Sequence, residues 1–196
     1  EDSGWLTHGA LKMEYGLYGK KVATGGLWIF NFWDPIFDCD ERQHMITLNS
    51  CDDQSLYTNK QLLTFHSPKY YTVPPDWNIT DRWEFRKEEM EICLQLAHGV
   101  RMKLDESTLK SILPIARSLK LYNVVHYCQY QLMIYPESVE NLKFAFKFNT
   151  RHYSIHLMKK LESREELKEI LEGMDIQKMS GESMKQCTRF FFDGKI

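Results

Sequence analysis

The stretch Leu56-Tyr57-Thr58-Asn59-Lys60-Gln61-Leu62-Leu63-Thr64-Phe65-His66-Ser67-Pro68-Lys69-Tyr70-Tyr71 decides how the rest of the chain is read. Its first residues alternate as a strand does, and Lys60 to Phe65 then reads as a short helix. The helix must stop near Ser67, because a residue preceding proline is driven out of the helical region. Just upstream, residues 45–50 form a second alternating run, and Cys51-Asp52-Asp53-Gln54 between the two runs is rich in turn formers, so a hairpin is expected. Downstream, Pro74 and Pro75 make residues 72–76 a loop. Trp77 to Phe85 alternates weakly and is expected to add a third strand.

From Lys87 the period becomes helical. Met90, Cys93, Leu94 and Ala97 share one face, and Gly99 is placed to stop that helix. Leu109, Ile112, Leu113 and Ala116 share another after a cap at Asp105 or Ser107, although Pro114 within the pattern is expected to kink or split it. Val124, Val125, Cys128 and Leu132 line the next. Beyond Pro136 come three more helical patterns: Val139, Leu142, Ala145 and Phe146; then Ile155, Met158 and Leu161; then Leu167, Ile170 and Leu171. The last opens on a capping box, Ser163 to Glu166, and ends at Gly173. From Met174 the chain is polar until Phe190 and is expected to be a partly mobile tail.

Composition narrows the function. At 196 residues the chain suits one domain, or one with a helical annex. A chain of this size can bury roughly 70% of its unfolded surface without disulfides or metal. A net charge of −2 provides no attraction to nucleic acid or anionic lipid. No apolar run is long enough to span a membrane, and no segment reads as a signal peptide. The 5 cysteines are odd in number, widely spaced and without a CxxC pair, which points to a reducing compartment, cytoplasm or nucleus, and away from a zinc framework. Gly-rich phosphate loops and GxSxG elbows are absent. His152 and His156 would share a helix face, but no further ligand stands at metal spacing. Neither a catalytic residue, a cofactor nor a metal is assigned.

The opening stretch resembles the strand-to-helix signature of the BTB/POZ family, in which His-Lys-x-x-Leu is followed by Ser-Pro-x-Phe. Leu56, Lys60, Leu63, Ser67 and Pro68 match; Asn59 replaces the His, and Tyr70 or Tyr71 the Phe. Residues 89–100, with Leu94 and Gly99, resemble the family's Phe-x-x-Leu-Leu-x-x-Ile-Tyr-x-Gly stretch. Residues 109–127, with Ala116, resemble its following helix pair. Residues 137–172 look like the helical extension found after the domain in divergent nematode members. The resemblance implies an α+β BTB/POZ fold, a small sheet flanked by helical hairpins, organised as an N-terminal arm with extra strands (1–36), the domain (37–134), a helical extension (135–173) and a tail (174–196).

The resemblance further implies a non-enzymatic dimerising adaptor or scaffold, a homodimer or heteromer. One version is a substrate adaptor of a cullin-based ubiquitin ligase, with residues 87–97 and 121–132 facing the scaffold. Two departures bear on this. Met45 or Ile46 stands where family members often carry an Asp, and the short segment 72–76 lacks the apolar-x-Glu motif common in cullin recruiters. The alternative is a cullin-independent subunit held through its aromatic arm. The interface candidates are Trp28, Ile29, Phe30, Phe32 and Trp33 in the arm, where BTB dimers typically exchange segments, and Phe190, Phe191 and Phe192 near the C-terminus; aromatics are enriched at binding hot spots. Burial in the chain's own core is the competing reading for both clusters.

Overall fold

A computed structural model describes residues 6–7, 10–11, 29–33, 45–49, 54–71 and 85–193. The chain divides into two compact units, Glu1–Asn31 and Phe32–Ile196. In the first, strand β1 (Leu6–Thr7) pairs antiparallel with β2 (Ala10–Leu11), Leu6 opposite Leu11.

In the second unit, β3 (Met45–Asn49) and β4 (Ser55–Asn59) form the expected antiparallel hairpin, with Leu48 opposite Leu56 and Ile46 opposite Thr58. Those four side chains are buried, so the alternation of the sequence becomes one face turned to the core. Helix α1 (Lys60–His66) follows β4 directly. Asn59 makes this junction possible: its side-chain oxygen accepts the amide of Gln61 at 2.9 Å, satisfying a helix-start donor. After α1 the Ser67 amide still bonds back to the Leu63 carbonyl at 2.8 Å. Pro68 opens the short α2 (Pro68–Tyr71), where its missing N–H is no loss. The loop 72–76 and all but the end of the third strand expected over 77–85 lie outside the described residues; Phe85 itself sits in a bend.

Helices α3 (Lys87–Ala97), α4 (Glu106–Ser118) and α5 (Tyr122–Leu132) pack on one another, and α3 also meets β4. Leu94, Ile112, Leu113, Ala116, Val124 and Leu132 are fully buried at their centre. Asp105 caps α4 by accepting the Thr108 amide at 2.8 Å. With the Ser107 and Thr108 hydroxyls also donating to it, Asp105 has its pKa lowered to about 2. Helix α4 runs unbroken through Pro114, so of the kink or split expected there the split does not form. The Lys110 carbonyl forgoes its helix donor, but Ile112, Leu113, Ile115 and Ala116 on either side have no solvent exposure, and their burial offsets that loss.

Helices α6 (Val139–Lys147) and α7 (Arg151–Met158) form a second hairpin that reaches the first through contacts of α7 with α5. Leu142, Ala145 and Phe146 are buried as the period requires, while Val139 is exposed. The buried face of α7 is Tyr153, Ser154, Leu157 and Met158, so the expected face through Ile155 and Leu161 is corrected by about one residue. The cause is that α7 packs on both α5 and the last helix. Helix α8 (Arg164–Glu172) starts at Ser163, whose hydroxyl accepts the Glu166 amide at 3.1 Å. Glu166 in return accepts the amide of Glu162 at 3.0 Å, one residue before the usual box partner.

The tail reading is overturned. After a 3-10 turn (Ile176–Lys178), residues Gly181–Asp193 form α9, which packs on α7 and α8. Its inward face is Ser183, Gln186, Cys187 and Phe190, a helical spacing written mostly in small and polar side chains. The Ser154 hydroxyl donates to Gln186 at 2.8 Å within this buried contact, and Ser180 caps the helix by accepting the Ser183 amide at 3.1 Å.

Helices α3, α4 and α6 end in the same way. Gly99 (φ 92), Lys120 (φ 54) and Asn149 (φ 47) each adopt a left-handed backbone just past the helix. The next amide then reaches back into the last turn: Val100 to the Gln95 carbonyl at 3.0 Å, Leu121 to Ala116 at 2.8 Å, and Thr150 to Ala145 at 2.9 Å. Val100, Leu121 and Thr150 are all buried, so each stop is also pinned by packing. The resulting molecule is α+β and mostly helical. Among the described residues no helix is long and apolar enough to cross a membrane.

Candidate interaction surface

The aromatic arm is divided by the structure. Trp28 lies outside the described residues, and Ile29 and Phe30 belong to the first unit, in a stretch without regular structure. Residues 29–32 form no strand. Phe32 and Trp33 turn onto the second unit's own sheet: the Tyr57 amide donates to the Phe32 carbonyl at 2.9 Å. Phe32 is 4% exposed, and its ring lies 5.1 Å from that of His98. Trp33 is half-buried, and its indole N–H donates to Glu91 Oε1 at 2.9 Å. The Lys87 ammonium sits 3.2 Å from the Trp33 ring centroid, close enough to be attracted by the face of the indole. Lys87 also bonds Gln54. For Phe32, burial in its own chain is what the structure selects.

His98 is the polar partner in this pocket. Its Nδ1 donates to the Leu94 carbonyl at 2.8 Å, leaving Nε2 to accept from the Thr58 hydroxyl at 3.1 Å. Burial pushes its pKa below the ordinary 6.5; the Leu94 bond opposes this, and His66 adds to it.

The signature residues mostly build core. Leu56, Leu63, Leu94 and Ala116 have no exposure, and Tyr70 has 1%. Ser67 is buried, and its hydroxyl donates to the Leu119 carbonyl, tying the α1–α2 break to the end of α4. Lys60 is half-buried at the start of α1, and Pro68 is exposed. Gly99 provides the left-handed stop described above. Phe190, Phe191 and Phe192 also part company: Phe190 is buried, Phe191 half-buried, and Phe192 is 80% exposed.

A different group emerges on the outer face of α5. Tyr122, His126 and Tyr130 recur one turn apart and are exposed, the tyrosines by 55% and 58%. His152 of α7 joins them, its ring 5.7 Å from His126 and nearly parallel to Tyr130 at 6.1 Å. Gln129 fastens the two helices by accepting the His152 amide at 3.0 Å, one of the unpaired donors of the α7 start. Ile134, 67% exposed, lies just beyond. His152 and His156, four apart on α7, are exposed and half-buried, as the sequence reading without a metal expects, and His156 faces Glu137 at 3.8 Å. Among the described residues no three His, Cys, Asp or Glu side chains converge as metal ligands. The signal for the stripe was the four-residue spacing of Tyr122, His126 and Tyr130 opposite the apolar face of the same helix.

Cys93, Cys128 and Cys187 are free thiols buried in helix contacts. Burial pushes Cys128 up to about 12, Cys187 up to about 11 and Cys93 well above its ordinary value, so all three are protonated packing groups at neutral pH. Cys39 and Cys51 lie outside the described residues. No protein-family model matches the chain, and no curated protein matches it.

Proposed function

We propose that this chain is a non-enzymatic protein–protein interaction module of the BTB/POZ type, a dimerising adaptor or scaffold of the cytoplasm or nucleus. The observation that carries this reading is the exposed stripe of Tyr122, His126, Tyr130 and His152 on the outer faces of α5 and α7. Aromatic side chains with a polar tip offer large contact area at low ordering cost, which suits a binding face. The order of hairpin, short helix, Ser-Pro break and helix pairs supports the family reading.

In the leading version the α3 and α5 helices face a cullin scaffold and the chain serves as a ubiquitin-ligase substrate adaptor. The alternative, a cullin-independent subunit, is favoured by the 80% exposure of Phe192, with Trp33 as its second contact. Affinity purification of the tagged full chain from its native cells separates them. A cullin at near-stoichiometric amounts, lost from the His126→Ala/Tyr130→Ala variant, is the expected result for the first version. A constant companion retained by that variant but lost on Phe192→Ala would replace it with the second. A preparation without any companion, and of monomer mass by light scattering, would overturn the adaptor reading altogether.

A further inference from the structure

A cleft of about 700 Å³ opens between α6, the 3-10 turn and Lys110 of α4, and none of the α5 stripe residues lines it. Its apolar part is Phe144, Phe146, Phe148, Met174 and Met179. The Phe144 and Phe148 rings, one turn from each other, lie 4.7 Å apart and are tilted by 52°. The methionines lining the same cleft can adapt to side chains of differing shape. The volume falls in the range of ligand-holding pockets.

The charged part is four lysines, Lys110, Lys143, Lys147 and Lys178, against the carboxylates of Glu140 and Asp175. Lys143 pairs with Glu140 at 2.9 Å, Lys178 with Asp175 at 3.0 Å, and Lys110 with Glu106 at 2.7 Å. All three pairs are partly or largely exposed, and such pairs hold weakly enough to be rearranged by an incoming anion. Lys147 makes no ion pair among the described residues and lies 5.4 Å from the Phe148 ring centroid.

We propose that this cleft docks an acidic peptide segment of a partner protein, one bulky apolar side chain entering between Phe144 and Met179 and flanking carboxylates meeting the lysines. The distribution of charge selects a peptide over a small anion. The ammonium groups come from three separate elements, Lys147 and Lys178 exposed and Lys110 and Lys143 half-buried, whereas a single phosphate or carboxylate is held by donors converging on one point. Lys143 and Lys147, one turn apart on α6, are spaced much as alternate side chains on one face of an extended peptide are. The cleft would serve this role whether or not the chain is of the BTB/POZ type.

The test is a selection of random twelve-residue peptides displayed on phage against the immobilised full chain, with the Lys143→Glu/Lys147→Glu variant as counter-target. Enriched peptides are then synthesised with a fluorophore and titrated by polarisation. The expected consensus has at least two Asp or Glu beside a Phe, Leu or Trp. Its affinity falls at least tenfold on the charge-reversed variant, falls with rising salt, and falls again on Phe144→Ala. Lys143→Gln/Lys147→Gln, checked for an unchanged melting temperature, gives an intermediate loss. Peptides that are not acidic, or that bind the variants as tightly as the parent, would overturn the proposal, as would a selection without enrichment. Saturable binding of dodecanoate, relieved by the same substitutions and with no acidic peptide enriched, would reassign the cleft to a small amphipathic anion. The His126→Ala/Tyr130→Ala variant should leave peptide binding unchanged, so failure at the stripe and failure at the cleft are told apart.

Discussion

Ser67 shows how a single side chain can set the path of the chain. Proline at 68 forces the break, but the break is held where it is by the buried Ser67 hydroxyl bonded to Leu119. Ser67→Ala leaves that carbonyl without its donor, and urea unfolding should show a loss of about 1–3 kcal/mol. Leu63 stands one helical turn earlier and has no exposure, whereas Phe65 is 83% exposed. Leu63→Ala should therefore cost about 2–5 kcal/mol, while Phe65→Ala should stay within about 0.5 kcal/mol. Equal losses at Leu63 and Phe65 would contradict the packing described. The break at Ser67 was legible in the sequence because proline acts locally, and Leu63 was expected in the core through the family resemblance; the bond from Ser67 to Leu119 was not legible. Nor was His98. Its role depends on Phe32 and Thr58, which come from distant parts of the chain.

At the level of elements, the hairpin, α1 and helices α3 to α6 were readable from period and caps. Helix α9 was not, because its buried positions are mostly Ser, Gln and Cys, which on hydrophobicity alone resemble a solvated tail. Its packing concentrates at Phe190, which is buried while Phe192 is exposed. Phe190→Ala should cost about 3–5 kcal/mol and Phe192→Ala almost nothing by thermal or urea unfolding. The reverse ranking would mean that α9 faces the other way. The stops at Lys120 and Asn149 were also missed, since only Gly99 bears the residue that announces a left-handed backbone. A lysine held there costs about 1–2 kcal/mol, part of which glycine's greater freedom in the unfolded chain would offset. Lys120→Gly is therefore expected to raise the urea midpoint, and a fall would show that the Lys120 side chain holds something the backbone argument omits. Likewise the α5 stripe escaped notice because exposed aromatics on an amphipathic helix look like its ordinary rim until a neighbouring helix supplies His152.

For the molecule as a whole, acid should be the destabilising direction near neutrality. His98 titrates lower in the folded protein than the ordinary 6.5, and burial lowers His66 in the same direction. The unfolded chain thus takes up protons first. Stability from these groups is complete above about pH 6.5 and is lost as pH falls through their folded values. Urea midpoints measured from mildly alkaline to mildly acidic pH should decline on the acid side, and His98→Gln should flatten that decline; a flat profile in the parent protein would contradict the His98 assignment. The repeated helix stops have a different kind of consequence. Each reversal after α3, α4 and α6 is closed by main-chain bonds and one buried neighbour, with little asked of the outer helix faces. Mutations that recolour those faces can therefore accumulate without moving the turns. The stripe on α5 and the lysines on α6 lie on such faces, so their specificity is free to evolve while the architecture stays constant.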